Sequence, residues 1–287
     1  MKLIYFIFFA IFLFLIFTGN KVIAQSSRAK VICLYRLTSR PDSTSKTTWE
    51  ELTQLAISDS SSEFRSFVRY KADSLILKYQ YADLNSPAMY AGMTEATNLP
   101  KYKFDGVIIK NSKTTTCLYY GIINKILYSY QDNDYSLNWK LSTDTARING
   151  YTCQKAFTKL GGRKYTAWFT RQIPISNGPY KFGGLPGLIV SISDSTGSYK
   201  FELTRIYQPA KEYRILLPSQ LMRTKLPAIV VPKRHYYSSY FTARDNFIDN
   251  AIANGTIKSG DLENVRKTYR DKIKHLNNPI ELDYKKQ

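Results

Sequence analysis

A chain of 287 residues that is 44% hydrophobic has room for one large domain or two small ones, with enough apolar residues to bury a core. Its formal charge of +19 sets 41 Lys and Arg against 22 Asp and Glu. The basic residues are spread along the chain, which argues against a nucleic-acid footprint and fits a solvated surface or attraction to anionic envelope surfaces.

The first element is a leader. Lys2 precedes an unbroken apolar run, Leu3 to Phe17, followed by four residues ending in Lys21 and then Val22-Ile23-Ala24. This order predicts a signal peptide over 1–24, cleaved before Gln25, leaving about +17 on the mature chain. The run is shorter than the ~20 apolar residues that a spanning helix needs. Val31 and Ile32 before Cys33 are not the small residues of a lipidation site, and no later stretch is long and apolar enough to span. The expectation is a protein secreted across the inner membrane, to the periplasm, the cell surface or beyond, without a transmembrane anchor.

Lys30 to Leu37 reads as a first strand and Ser39 to Thr48 as a polar loop. Glu50 to Ile57 fits either a helix or a strand, and Ser58 to Ser62 a turn. Phe64 to Tyr70 and Asp73 to Tyr79 follow, and Pro87 to Pro100 has the Gly, Asn and Pro content of a long excursion. Val107 to Lys110, Thr115 to Tyr120 and Ile126 to Tyr130 are the short branched or aromatic runs of a meander. In Leu137 to Ile206 the pattern is clearest. Gly161-Gly162 accepts the positive φ of a tight hairpin between Cys153–Leu160 and Lys164–Thr170, and Asp194 to Gly197 separates Leu188–Ser193 from Tyr199–Ile206. Phe247, Ile248, Ala251 and Ile252 then share a helical face that stops at Asn254-Gly255. Ser259 is placed to cap a second helix, with Asp261 and Glu263 in its first turn and a buried stripe of Leu262, Val265, Tyr269, Ile273 and Leu276.

The fold predicted is mainly β with C-terminal helices (α+β). It is a curved antiparallel meander sheet or half-barrel reaching to about residue 235, with helices over 240–277 packed on one face. Residues 25–287 read as a single domain.

Side-chain chemistry is sparse. His235 and His275 are the only histidines, and no ligand pair at zinc spacing occurs. Ser43-Thr44-Ser45-Lys46 matches Ser-x-x-Lys but sits in a polar loop without partner motifs, and no Gly-x-Ser-x-Gly elbow, phosphate loop or dinucleotide fingerprint appears. No catalytic residue, cofactor, metal or nucleic-acid partner is expected. Cys117 and Cys153 both fall in strand-like segments and are the expected disulfide, leaving Cys33 over; three buried, unpaired thiols are the alternative.

The most unusual segment is Phe182 to Val190, FGGLPGLIV. Pro186 and Gly187 suit a type II turn over Leu185 to Leu188. Such a turn is either a structural corner feeding a buried strand or a surface loop whose Gly184, Leu185, Pro186, Gly187, Leu188 and Ile189 face a partner. Arg163, Trp168 and Lys181 are weaker binding candidates. Trp168 breaks the otherwise polar face of its strand, from a groove or from packing on both sides.

The string Gly184 to Ile189 is the signature of the GLPGLI family of secreted proteins of Gram-negative bacteria, which this chain resembles. Ile148 to Ala156, Gly162-Arg163, Ala167-Trp168-Phe169, Ile173-Pro174 and Gly178 to Phe182 follow that family's order, and Asn278-Pro279-Ile280-Glu281-Leu282 resembles its C-terminal end. The dense likeness covers about residues 135 to 206. It implies an exported, β-rich protein of uncharacterised role. Three functions compete: a non-enzymatic binding or accessory protein of the envelope holding an apolar ligand, an interaction partner of an outer-membrane receptor, periplasmic protein or export machine, and, last, an envelope hydrolase.

Overall fold

The computed structural model describes residues 27–285, apart from 80–82, 84, 133–136, 222–225 and 259. The leader at 1–24 and the expected cap Ser259 lie outside the described residues. The strands are β1 (Ser27–Arg28), β2 (Val31–Ser39), β3 (Trp49–Ile57), β4 (Ser61–Ser66), β5 (Val107–Asn111), β6 (Thr116–Ile123), β7 (Ile126–Asp132), β8 (Lys140–Ile148), β9 (Tyr151–Leu160), β10 (Arg163–Thr170), β11 (Leu188–Asp194), β12 (Tyr199–Tyr207), β13 (Arg214–Ile215) and β14 (Ile229–Val230). The helices are α1 (Phe67–Tyr79), α2 (Pro87–Thr97), α3 (Pro218–Leu221), α4 (Lys233–Asp245), α5 (Phe247–Ala253) and α6 (Leu262–Lys274).

Twelve of these strands form one open sheet in the order β14-β7-β6-β5-β4-β3-β2-β12-β11-β10-β9-β8. Every pairing is antiparallel except β14 on β7. Two meanders meet where β2 pairs with both β3 and β12. The hairpin at Gly161-Gly162 forms as expected: both glycines have positive φ (+58° and +78°), and Arg163 faces Leu160 across it. β1 and β13 form a separate two-stranded ribbon.

The first meander is packed on both faces, because its strands are apolar at odd and even positions alike. In β2, Cys33, Tyr35 and Leu37 point to one face, and Ile32 and Leu34 to the other. The first face is covered by Tyr236 and Tyr237 of α4 and by Tyr180, Phe182 and Leu185 of the loop between β10 and β11. On the second face lie Tyr213 and Ile215, with Phe67 and Tyr70 of α1 packed against them. Each fully buried Leu, Ile or Phe among these contributes about 1.5–3 kcal/mol relative to exposure.

Three elements depart from the sequence expectation. Phe64 to Tyr70 splits, with β4 ending at Ser66 and α1 starting at Phe67; the Ser66 hydroxyl accepts from Arg69 N and so caps the new helix. The excursion after Pro87 is α2, because Pro87 sits in the helix's first turn behind the N-cap Ser86, which accepts from Met89 N. Asp261 caps α6 and accepts from Asn264 N. The C-terminal helices sit at the expected end of the fold, but the stripe of α6 is only half-buried, with Leu276 exposed. The reason is that α6 packs on α5 at the edge of the fold rather than into the core. α1 adds a helix to the opposite face.

Candidate functional site

The loop joining β10 to β11 folds back over the sheet. Its carbonyls are gathered by one side chain: Lys110 Nζ, from β5, donates to Gly178 O and Phe182 O at 2.7 Å each. Trp139 Nε1 donates to Gly183 O at 2.8 Å. Tyr180 takes the left-handed backbone region (φ +50°) while its ring is fully buried, a conformation rare for a bulky residue. The expected type II turn is absent. Gly187 N donates to Leu185 O across Pro186, a three-residue turn, and Leu188 N pairs with Ile173 O instead. A Cβ on Gly187 would stand 2.0 Å from Thr170 O, so the chain passes too close to β10 for any side chain. Leu185, Leu188 and Ile189 are buried, while Gly184 and Pro186 are exposed. The apolar residues of the motif therefore face the core, which is the structural-corner arrangement rather than a surface presentation.

Beneath this loop runs the C-terminal segment 278–283, held by buried charges. Lys181 Nζ contacts Glu281 Oε1 and Asp132 Oδ2 at 2.5 Å each and Tyr130 OH at 3.1 Å. Lys233 pairs with Glu281 Oε2 and reaches Asp283 Oδ1 at 2.9 Å, and Tyr180 OH donates to Glu281. Burial alone would raise the Glu281 carboxyl, but Lys181 and Lys233 override it and hold it at about 2. Burial likewise opposes the Lys181 ammonium, and Glu281 with Asp132 outweighs it, keeping the pKa above the ordinary lysine range. Next along, Arg163 donates from Nε to Ile280 O (3.1 Å) and from Nη2 to Asn278 Oδ1 (2.5 Å) and Pro279 O (2.7 Å). It also pairs with Asp194 Oδ2 at 3.0 Å. Arg163 and Lys181 are thus internal clamps with no exposed charge to offer a ligand. Trp168 stays on the wet face of β10, half-buried, with Lys155 Nζ 5.2 Å from its ring centroid.

Beside the loop opens a cleft of about 690 Å³, lined by Ser61, Ser62, Lys110, Asn177, Gly183 and Gly184, with Asn111 and Thr115 also on its wall. Asn177 Nδ2 donates to Ser62 Oγ at 3.0 Å, fixing one wall to the other. Lys110 differs from Lys181 in having no carboxylate within ion-pair distance among the described residues. Burial pulls its pKa down to about 7. A bound anion would favour the ammonium. Neither Lys110 nor Asn177 was singled out from the sequence. The signal was there for Lys110: in β5 it shares a face with Ile108, a lysine at an inward strand position.

The expected disulfide is not formed. Cys33, Cys117 and Cys153 are free and buried, because Cys117 on β6 and Cys153 on β9 lie eight places apart in the strand order. Burial first pushes the Cys33 and Cys117 thiols up to about 12. His235 is exposed and makes no hydrogen bond or ion pair with Ser, Asp or Glu among the described residues. His275 Nδ1 lies 2.6 Å from Asp42 Oδ2, but the neighbouring Ser43 Oγ donates to Asn277 Oδ1. Ser43 to Lys46 follows β2 in a turn-rich loop, not the buried helix start that a Ser-x-x-Lys nucleophile needs. No three His, Cys, Asp or Glu side chains converge to hold a metal among the described residues, and no described helix is long and apolar enough to cross a membrane.

A family described as "Protein of unknown function (Porph_ging)" matches residues 160–191. That stretch contains β10, its clamp Arg163, the loop with Lys181 and the first residues of β11. No curated protein sequence shows significant similarity to the chain. Among solved structures, PNGF-II in a C2 crystal form is similar at a TM-score of 0.50 and 15% identity, covering 75% of this chain and 33% of that one. PNGF-II in a P21 form gives 0.48 and 15%, covering 75% and 34%. This chain spans about a third of the length of the structures it matches, and the likeness to the C2 form is one of fold.

Proposed function

We propose that the protein is an exported, non-enzymatic binding or accessory protein of the GLPGLI type, and that the cleft beside the glycine-rich loop receives its ligand. The observation carrying this is the cleft's wall chemistry. Hydroxyls, amides and the Lys110 amine line about 690 Å³, and the loop that frames it is built around that amine. Such a wall suits a polar, anionic ligand better than the apolar one of the first sequence-based alternative, since Leu137 is the one apolar side chain among its lining residues. Export rests on the leader at 1–24.

The test pairs two measurements. Fractionation with N-terminal sequencing of the mature chain should find Gln25 first, outside the inner membrane. Thermal shifts of the mature protein with inorganic phosphate, citrate or glucuronate should saturate for at least one, and Lys110→Met should abolish the response. A flat response to all three, with an apolar molecule in an organic extract of the purified protein, would overturn the polar assignment.

A second reading, partner docking through Gly184 to Ile189, is the weaker one, because three of its four apolar side chains are spent on the core.

A further inference from the structure

A second, smaller cavity lies on the same face, remote in sequence from the glycine-rich loop. It holds about 160 Å³ and is walled by Trp49, Phe104, Tyr119, Tyr236 and Tyr240, with Asp105 among its lining residues. Tyr119 and Tyr236 meet edge to face, with centroids 5.3 Å apart, and Tyr236 and Tyr240 stack one helical turn apart on α4. Two glycines make room for this wall. A Cβ on Gly106 would come within 2.7 Å of the Tyr119 hydroxyl, and one on Gly121 within 2.1 Å of the Tyr236 hydroxyl. Neither glycine has a positive φ, so space is their only evident reason.

The carboxylate is held in place by its backbone. Glu51 Oε2 accepts from Lys103 N and Phe104 N at 2.9 Å each, and Arg69 donates to Asp105 O. The side chain itself makes no ion pair within 4 Å among the described residues. Burial chiefly raises its pKa, and Arg69 only partly offsets that. Burial, and next the Asp105 charge, raise the hydroxyls of Tyr236 and Tyr240. A negative group and seven aromatic residues, Tyr199 and Tyr237 included, around one small space attract a cation by charge and by ring quadrupole together. One face is already in use this way: Lys103 Nζ stands 5.1 Å from the Trp49 ring centroid, at the rim.

We propose that this cavity is a binding site for a small organic cation, an alkylammonium head group, with Asp105 as counter-ion and Trp49, Tyr119, Tyr236 and Tyr240 as the aromatic wall. The resident Lys103 ammonium competes for the Trp49 face, so an arriving head group displaces it towards solvent. The volume admits a trimethylammonium group and little more.

The test is titration of the full mature chain with choline, read by Trp fluorescence and calorimetry against sodium chloride at equal ionic strength. The neutral isostere 3,3-dimethylbutan-1-ol serves as control. Choline should bind saturably, the isostere at least tenfold more weakly. Asp105→Asn should lose at least tenfold in affinity, and Lys103→Ala should gain affinity. Asp105→Asn is scored only if its melting temperature stays near wild type; otherwise Tyr240→Leu, which removes one half-buried ring of the wall, takes its place with the same expected loss. Equal binding of the isostere, a choline response no larger than that to salt, or undiminished binding in the folded variants would overturn the assignment. Lys110→Met should leave choline binding unchanged, which separates failure here from failure of the polar cleft.

Discussion

The two faces of the central sheet each bury a cluster of charges, and the clusters are built on opposite principles. On the α1 face, Arg65 pairs with Glu63 at 2.5 Å and with Asp73 at 2.6 Å, and Arg69 with Asp73 at 3.8 Å, so four residues within eleven positions supply the charges. On the loop face, Asp132, Lys181, Lys233 and Glu281 come from β7, the β10–β11 loop, α4 and the C-terminal segment. The local cluster fastens a helix to the strand it grew from. The long-range one fastens together parts of the chain that meet only in the finished fold. Desolvating charges is expensive in either place, and removing one member strands the others.

The comparison is sharpest at Glu281. Glu281→Gln should cost about 3–5 kcal/mol in denaturant unfolding, because Lys181 and Lys233 lose the fully buried counter-ion they share and keep only the partly solvated Asp132 and Asp283. Asp73 is partly solvated, and Asp73→Asn should cost less, about 1–3 kcal/mol. Equal losses at the two sites would break the distinction drawn between them. Next in size, Leu185→Ala and Leu188→Ala should each cost about 2–5 kcal/mol, as buried leucines do; values near zero would return the motif to a surface role.

Acidity distinguishes two groups on the loop face. Glu281 titrates lower in the folded chain than its ordinary 4.5, so its contribution is complete above that value and is lost as pH falls towards about 2. Glu281→Gln should flatten that part of the stability profile, measured as melting temperature against pH. Lys110 has the same sense in a higher window, because burial disfavours its charge where the lysines favour that of Glu281. Its folded pKa of about 7 lies below 10.5, so the unfolded chain holds more protons between the two and stability rises with pH across that window. Lys110→Met should remove the rise. The smallest effect is at the thiols: with Cys33 and Cys117 raised to about 12, a thiol reagent should leave the native protein nearly unmodified and label three cysteines in denaturant. Two unreactive positions in denaturant without reductant would mean a disulfide after all.

Much of the sheet was legible in the chain because strands announce themselves locally. The Gly161-Gly162 hairpin and the alternation in Tyr199 to Leu203 carry their geometry within a few residues, and both formed as expected. The split at Ser66 and the helix after Pro87 were not legible, because a serine followed by a short apolar run, or a proline after a serine, reads equally well as a break or as a cap. The candidate site was harder still. Lys181 and Arg163 were legible only as weaker binding candidates, and their role depends on Glu281 and Asn278, about a hundred positions away.

By itself, then, the sequence determined the strand-rich first part and the helical end, where alternation and helical period act at short range. Only the tertiary structure decided which lysines have counter-ions, that three thiols stay apart, and that Asp105 and a set of tyrosines from α4 and β6 enclose one cavity. Charge pairing and enclosure depend on distance in space, and β2, by joining the two meanders edge to edge, is the strand that sets those distances.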